Sequence, residues 1–182
     1  MYYDIFNGDA DGICALIQLR LAEPRKASLI TGIKRDIQLL TKIDAQPGDQ
    51  LTVLDISMQK NSLQLNQFLA NGASVFYADH HQAGDLPLHP NLTALIDTSS
   101  DTCTSLIINK YLENQFPLWA ITGAFGDNFH LSAEHLANTI NLDTQNLQLL
   151  NNLGTYVNYN AYGSYLEDLH FMPDKIYREM AE

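Results

Sequence analysis

Short apolar runs that end on an acidic residue alternate along this chain with stretches whose apolar residues recur every three or four positions. That alternation predicts strands buried on both faces and joined by crossover helices, which is the pattern of a mainly parallel sheet. Tyr2 to Phe6 reads as a first strand, Asn7 to Gly12 as the loop at its tip, and Ile13 to Ala22 as a helix. The apolar stripe of that helix is Ile13, Leu16, Ile17 and Leu21, and Glu23-Pro24 ends it. A second strand, Ala27 to Thr31, turns at Gly32 into a helix carrying Ile37, Leu40 and Ile43. After the Pro47-Gly48-Asp49 turn comes a third strand, Leu51 to Asp55, then a helix with Leu65, Phe68 and Leu69, opened by Ser57 or Ser62 and closed by Asn71-Gly72. Ser74 to Ala78 is a fourth strand that runs into Asp79-His80-His81, and the polar, proline-bearing stretch Gln82 to Asn91 is a loop. Thr93 to Asp97 is a fifth strand, with Cys103, Leu106, Ile107 and Tyr111 marking the helix behind it.

Beyond this point only helical spacing appears. Pro117 suits the first turn of a helix over Leu118 to Phe125, which breaks at Gly126-Asp127-Asn128. A long helix begins near Thr144 with Leu147, Leu150, Leu153 and Val157, and a last one starts at Met172-Pro173-Asp174 and runs to Glu182. Tyr156, Tyr159, Tyr162 and Tyr165 recur every third residue; packing is the expected role, with a base-stacking platform as the alternative. The fold class that follows is α/β: a doubly wound, mainly parallel five-stranded sheet with helices on both faces, followed by a helical C-terminal segment.

Composition narrows the partners. Twenty-one acids against ten bases give a net charge of -11, which opposes binding of long nucleic acid by this domain alone. Two cysteines, Cys14 and Cys103, with no CxxC spacing, point to neither a disulfide framework nor a zinc finger and suit a reducing cytoplasm. No basic leader and no long apolar run is visible, so no membrane partner is expected.

The chemistry lies at the strand tips. Asp9, Asp11, Asp55, Asp79 and Asp97 all fall at or just past the C-terminal ends of expected strands, the edge at which open α/β sheets bind ligands. Carboxylates gathered in one cleft repel unless cations neutralise them or they take up protons. With His80 and His81 alongside, the donor set suits manganese, with magnesium possible, as one or two ions. Each residue also has a plainer reading: Asp11 as a helix N-cap, Lys34 and Arg35 as a solvated helix end rather than phosphate contacts, and His130 as a surface histidine.

The segments Gly8-Asp9-Ala10-Asp11-Gly12, Val53-Leu54-Asp55, Asp79-His80-His81 and Gly123-Ala124-Phe125-Gly126-Asp127 resemble, in order and spacing, the four motifs of the DHH phosphoesterases. That superfamily includes single-strand DNA exonucleases, nano-RNA and cyclic-dinucleotide phosphodiesterases, exopolyphosphatases and family II inorganic pyrophosphatases. The resemblance implies that Asp9 ligates one metal and Asp11 the other, that Asp55 bridges them, and that His80 and Asp127 complete the second site. It places His81 beside the substrate phosphate. It also implies hydrolysis of a phosphodiester or phosphoanhydride, in a phosphorylated small molecule or a short oligonucleotide, by a hydroxide that two cations hold in line with phosphorus. Two departures stand out. Ile5 occupies a position where many small-substrate members have a histidine, and Asn7 stands where exonuclease-like members have an aspartate, leaving only an amide carbonyl or a water to serve there. The first motif leans towards the exonuclease-like branch. By the same resemblance residues 1–165 form the catalytic domain, and 166–182 a linker or helix towards a second domain that this chain lacks. A different class of reading, a DHH-fold metal- or nucleotide-binding regulatory module without turnover, draws on the same two departures.

Overall fold

Five parallel strands and seven α-helices make up residues 1–181, which the structure, a computed structural model, describes. Glu182, the expected end of the last helix, lies outside the described residues. In chain order the elements are β1 (Tyr2–Phe6), α1 (Ala10–Ala22), β2 (Ser28–Ile30), β3 (Gln50–Leu54), α2 (Ser62–Ala70), β4 (Ser74–Asp79), β5 (Leu92–Ile96), α3 (Thr104–Tyr111), α4 (Pro117–Gly126), α5 (His130–Thr139), α6 (Thr144–Asn160) and α7 (Pro173–Ala181). The strands lie in the order β2-β1-β3-β4-β5, all parallel, as the doubly wound expectation required.

Register explains how the two faces are filled. Ile5, Val53 and Tyr77 stand side by side across β1, β3 and β4 and pack with Leu39, Leu40, Leu65, Phe68 and Leu69 on one face. One position on, Phe6, Leu54 and Ala78 point to the other face and pack with Ile13, Leu16 and Ile17 of α1 and Ile108 of α3. Helix α1 is enclosed all round, because α4 lies against it on the side away from the sheet and α5 and α6 pack against α4 in turn. At its far end Arg20 makes a two-pronged ion pair with Asp4 of β1 (2.8 and 2.5 Å) and a hydrogen bond to Thr52 of β3 (2.9 Å), so the buried guanidinium is matched.

Three expectations needed correction. The helix expected around Ile37, Leu40 and Ile43 is a single 3-10 turn, Leu39–Lys42, which buries the adjacent pair Leu39 and Leu40 and leaves Ile37 and Ile43 outside it. Helix α5 was not expected, although Ala133, Leu136, Ala137 and Ile140 carry helical spacing; its buried residues are small alanines that give a weak hydrophobic signal. The tyrosines expected to pack are bare: Tyr156, Tyr159, Tyr162 and Tyr165 are 69%, 70%, 55% and 70% exposed. A step of three rotates away from the buried side of α6, which Gly154 and Val157 occupy, and α6 ends before Tyr162.

The segment read as a linker or helix carries α7. Helix α7 packs on α1, with the Tyr177 ring 5.9 Å from that of Phe6 and Pro173 buried next to Gly8. Among the described residues no helix is long and apolar enough to cross a membrane.

Candidate metal centre

Strand β1 sits between β2 and β3, so successive crossovers leave it in opposite directions and open a crevice at the strand tips. The loop after β1 closes tightly because Gly12 has no side chain; a Cβ there would collide with the Asn7 carbonyl. Asp9 caps α1, its Oδ1 accepting from the backbone N–H groups of Asp11 (3.1 Å) and Gly12 (3.2 Å). The cap is therefore Asp9 rather than Asp11. Asp11, fully buried two residues on, reaches across to the start of α3 and accepts from the backbone N–H groups of Thr104 and Ser105, both at 2.7 Å.

Asp55 follows β3 with φ at +58°, a left-handed conformation that aspartate tolerates better than most residues and that marks a strained turn. Its backbone N–H donates to the Ala78 carbonyl (3.0 Å), and Thr104 Oγ1 donates to its Oδ1 (3.0 Å). Asp79 ends β4 and holds His81 Nδ1 at 2.7 Å; its second oxygen is buried without a partner. His80 Nε2 lies 3.4 Å from Asp55 Oδ1, 3.4 Å from Asp127 Oδ2 and 4.0 Å from Asp11 Oδ2. Asp127 is the C-cap of α4, and it reaches this place because Gly126 lets α4 press against Ala10 of α1 and Gly154 of α6, where a Cβ would not fit.

Lys34 enters the same crevice. Its Nζ donates to Asp9 Oδ2 (2.5 Å), Asp127 Oδ1 (3.0 Å) and Asn158 Oδ1 (3.0 Å), and it lies 5.9 Å from the centre of the Tyr162 ring. Asn7 braces it: Asn7 Nδ2 donates to the Lys34 carbonyl, while Asn7 Oδ1 accepts from the Asp9 N–H.

These positions set the charges. Burial pushes the Asp55 carboxyl well above the carboxylate range, and the neighbouring Asp11, Asp9, Asp127 and Asp79 push it further. Asp127 is raised by burial and by Asp11 and Asp9, against the pull of Lys34. Burial works against the Asp11 charge, but His80 and the Ser105 hydrogen bonds outweigh it and hold this carboxyl low. The Asp79 hydrogen bond raises His81, more than burial lowers it. Burial would discharge Lys34, yet Asp9 and Asp127 raise it well above an ordinary lysine.

No protein-family model matches this chain, and no curated protein matches it. Among solved structures it is similar to an uncharacterized protein from Helicobacter pylori G27, at 13% sequence identity over 98% of this chain and 68% of that one, with a TM-score of 0.43. A likeness that shallow carries no argument about this site, which rests on its own geometry.

That geometry fits a divalent ion. Asp11, His80 and Asp127 form one group, and Asp55, His80 and His81 another, whose donor atoms lie within 4.8 Å of one another. Ligand atoms sharing an ion at 2.0–2.2 Å stand roughly 3–3.6 Å apart, and His80 stands at 3.4 Å from two of its neighbours. The raised Asp55 carboxyl reflects the acids crowded around it, and one Asp79 oxygen is buried without a hydrogen-bond partner.

Of the residues expected here, Asn7, Asp9, Asp11, Asp55, His80, His81, Asp127 and Lys34 converge. Arg35 does not; it lines a separate hollow with Asp36, Tyr165 and Glu167. Asp97 lies past the edge strand β5 and pairs with Ser99, and the His130 ring stands against Phe125. Three participants carried no readable signal: Thr104 on Asp55, Asn158 on Lys34, and Lys60, whose side chain lines the cleft of about 370 Å³. Lys60 sits in a 3-10 turn before α2, where a sequence offers only an ordinary charged residue.

Proposed function

We propose that this chain is a metal-dependent phosphoesterase of the DHH type, hydrolysing a phosphodiester or phosphoanhydride in a short oligonucleotide, a cyclic dinucleotide or a similar phosphorylated molecule. The observation that carries this reading is the approach of Asp55, Asp127 and Asp11 to His80 Nε2, at 3.4, 3.4 and 4.0 Å, in a cleft that His81 also lines. Asp11, Asp55, His80 and Asp127 would hold the ion, with manganese favoured over magnesium because imidazole joins the carboxylates. A bound divalent ion supplies Lewis-acid polarisation of a phosphoryl oxygen and acidifies a water at neutral pH.

The chain's own groups do the rest. Thr104 fixes one oxygen of Asp55, leaving the other to orient the attacking water and accept its proton. Asp79 holds His81 by Nδ1, and that hydrogen bond favours the protonated imidazole, the form that can donate a proton to a phosphoryl or leaving oxygen. Lys60 at the rim offers a positive charge to an anionic substrate.

A second reading, a metal- or nucleotide-binding module without turnover, is favoured by one fact: Asp9 is already engaged by Lys34 and by the start of α1. Hydrolysis of a generic aryl phosphodiester, short oligonucleotides, a cyclic dinucleotide and pyrophosphate, with manganese and with chelator, separates the two. Manganese-dependent turnover that Asp55→Asn abolishes is the expected result. Tight manganese binding with no turnover on any of the four would leave the binding module standing and the enzyme reading refuted.

A further inference from the structure

The acids of this crevice divide into two sides. On one side two overlapping groups, Asp11 with His80 and Asp127, and Asp55 with His80 and His81, meet at His80. On the other side stand Asp9 and Asn7, whose side chains are engaged with the start of α1, with Lys34 and with each other. Asp9 gives one oxygen to the start of α1 and the other to Lys34. Asn7 uses its amide oxygen on the Asp9 N–H and its amide nitrogen on the Lys34 carbonyl. Ile5, buried in β1, has nothing to offer an ion.

What fills that side is an ammonium group. Lys34 has three N–H donors and three acceptors, Asp9, Asp127 and Asn158, at 2.5, 3.0 and 3.0 Å. Its backbone is pinned at both ends, the N–H by the Ala161 carbonyl and the carbonyl by Asn7, and the Tyr162 ring lies beside the charge. Asp127 is shared, with Oδ1 on Lys34 and Oδ2 towards His80. A cation at the Lys34 position would have to expel this side chain from all three acceptors at once.

Resting on the phosphoesterase reading above, we infer that Lys34 is the resident cation of one half of the centre, so that the site takes one divalent ion and not two. The ammonium neutralises Asp9 and half of Asp127, and the divalent ion sits with Asp11, Asp55, His80 and the other oxygen of Asp127. A lysine in place of an ion supplies a fixed single charge with no ligand-exchange chemistry, so the attacking water must be drawn from the His80 side alone.

Stoichiometry tests this without any assay of turnover. The protein is stripped with a chelator, equilibrated with excess manganese, freed of unbound ion, and examined by elemental analysis and electron paramagnetic resonance. Wild type should hold one manganese per chain and show the spectrum of an isolated ion. Lys34→Met should take a second, weaker manganese and show the broadened spectrum of a coupled pair, whereas Lys34→Arg should stay at one. Two ions in wild type, or one in a Lys34→Met protein that circular dichroism shows to be folded, would overturn the inference. Should that variant not fold, wild type answers alone: the Lys34 amine should be slow to acylate both with and without manganese, and an amine that manganese makes reactive would show that the ion displaces it. No manganese at all in wild type would instead sink the phosphoesterase reading, a different failure from one ion in every variant.

Discussion

Replacing Asp11 by alanine separates two roles that this residue combines. Its two oxygens accept the backbone N–H groups of Thr104 and Ser105, both buried, which as the first residues of α3 have no partner within the helix. An orphaned buried donor costs about 1–3 kcal/mol, so the pair comes to roughly 2–6 kcal/mol. Removing Asp11 also relieves Asp55, whose carboxyl it crowds, which puts the expected loss in the lower part, about 2–4 kcal/mol. For a chain of this length that is a fall of roughly 4–16 °C in Tm. Urea or thermal unfolding of metal-free protein measures it directly. Repeating the unfolding with manganese at a hundred times its dissociation constant should stabilise wild type by about 2.7 kcal/mol and the variant by much less, so the gap between them widens. A metal-free loss below about 1 kcal/mol would refute the orphaned-donor reasoning. A gap unchanged by manganese would make Asp11 a brace between helices and no ligand.

The acids also predict how stability follows pH. Asp55 and Asp127 have folded carboxyls raised above their ordinary value, so stability falls as pH climbs from the carboxylate range towards those raised values. Asp11, held low, acts the other way, but its gain is complete once the pH has passed the ordinary range; His81, raised, loses its contribution as pH rises through its folded value. Metal-free Tm should therefore decline as pH rises above the ordinary carboxylate range, and either saturating manganese or Asp55→Asn should flatten the decline; a flat metal-free profile would contradict this. At the seam between α4 and α6, Gly126→Ala places a methyl against Ala10 and the Gly154 backbone. The overpacking should cost about 1–3 kcal/mol and weaken manganese binding by moving Asp127, and calorimetry showing unchanged affinity would show that the seam does not position the ligand.

The sheet and most of the site were readable because both are written in short-range patterns. Short apolar runs announced five strands, and Asp55 and His80 stood one position past the tips of β3 and β4, with Asp11 five past that of β1. What could not be read was which side chains answer one another across the chain. Lys34 looked like a phosphate contact or a solvated end; only the approach of Asp9, 25 residues back, and of Asp127, 93 residues on, makes it an internal counter-ion. Asp11 looked like the cap of its own helix, and instead serves the start of a helix 93 residues away. The tyrosine periodicity misled for a related reason: spacing tells which residues share a stripe, and the neighbour that covers or leaves that stripe is a tertiary fact.

Those long reaches also bear on time. The braces of this centre join Asp11 to Thr104, Lys34 to Asp127 and Lys34 to Asn158, separations of 93, 93 and 124 residues. Loops of that size close late, after local helices and neighbouring strands have formed, and a parallel sheet of such topology is slow to assemble. A contact absent from the transition state affects the rate of escape from the native state far more than the rate of arrival. An ion bound by Asp11, Asp55, His80 and Asp127 would thus act as a latch, lengthening the lifetime of the folded chain while leaving its rate of folding almost untouched.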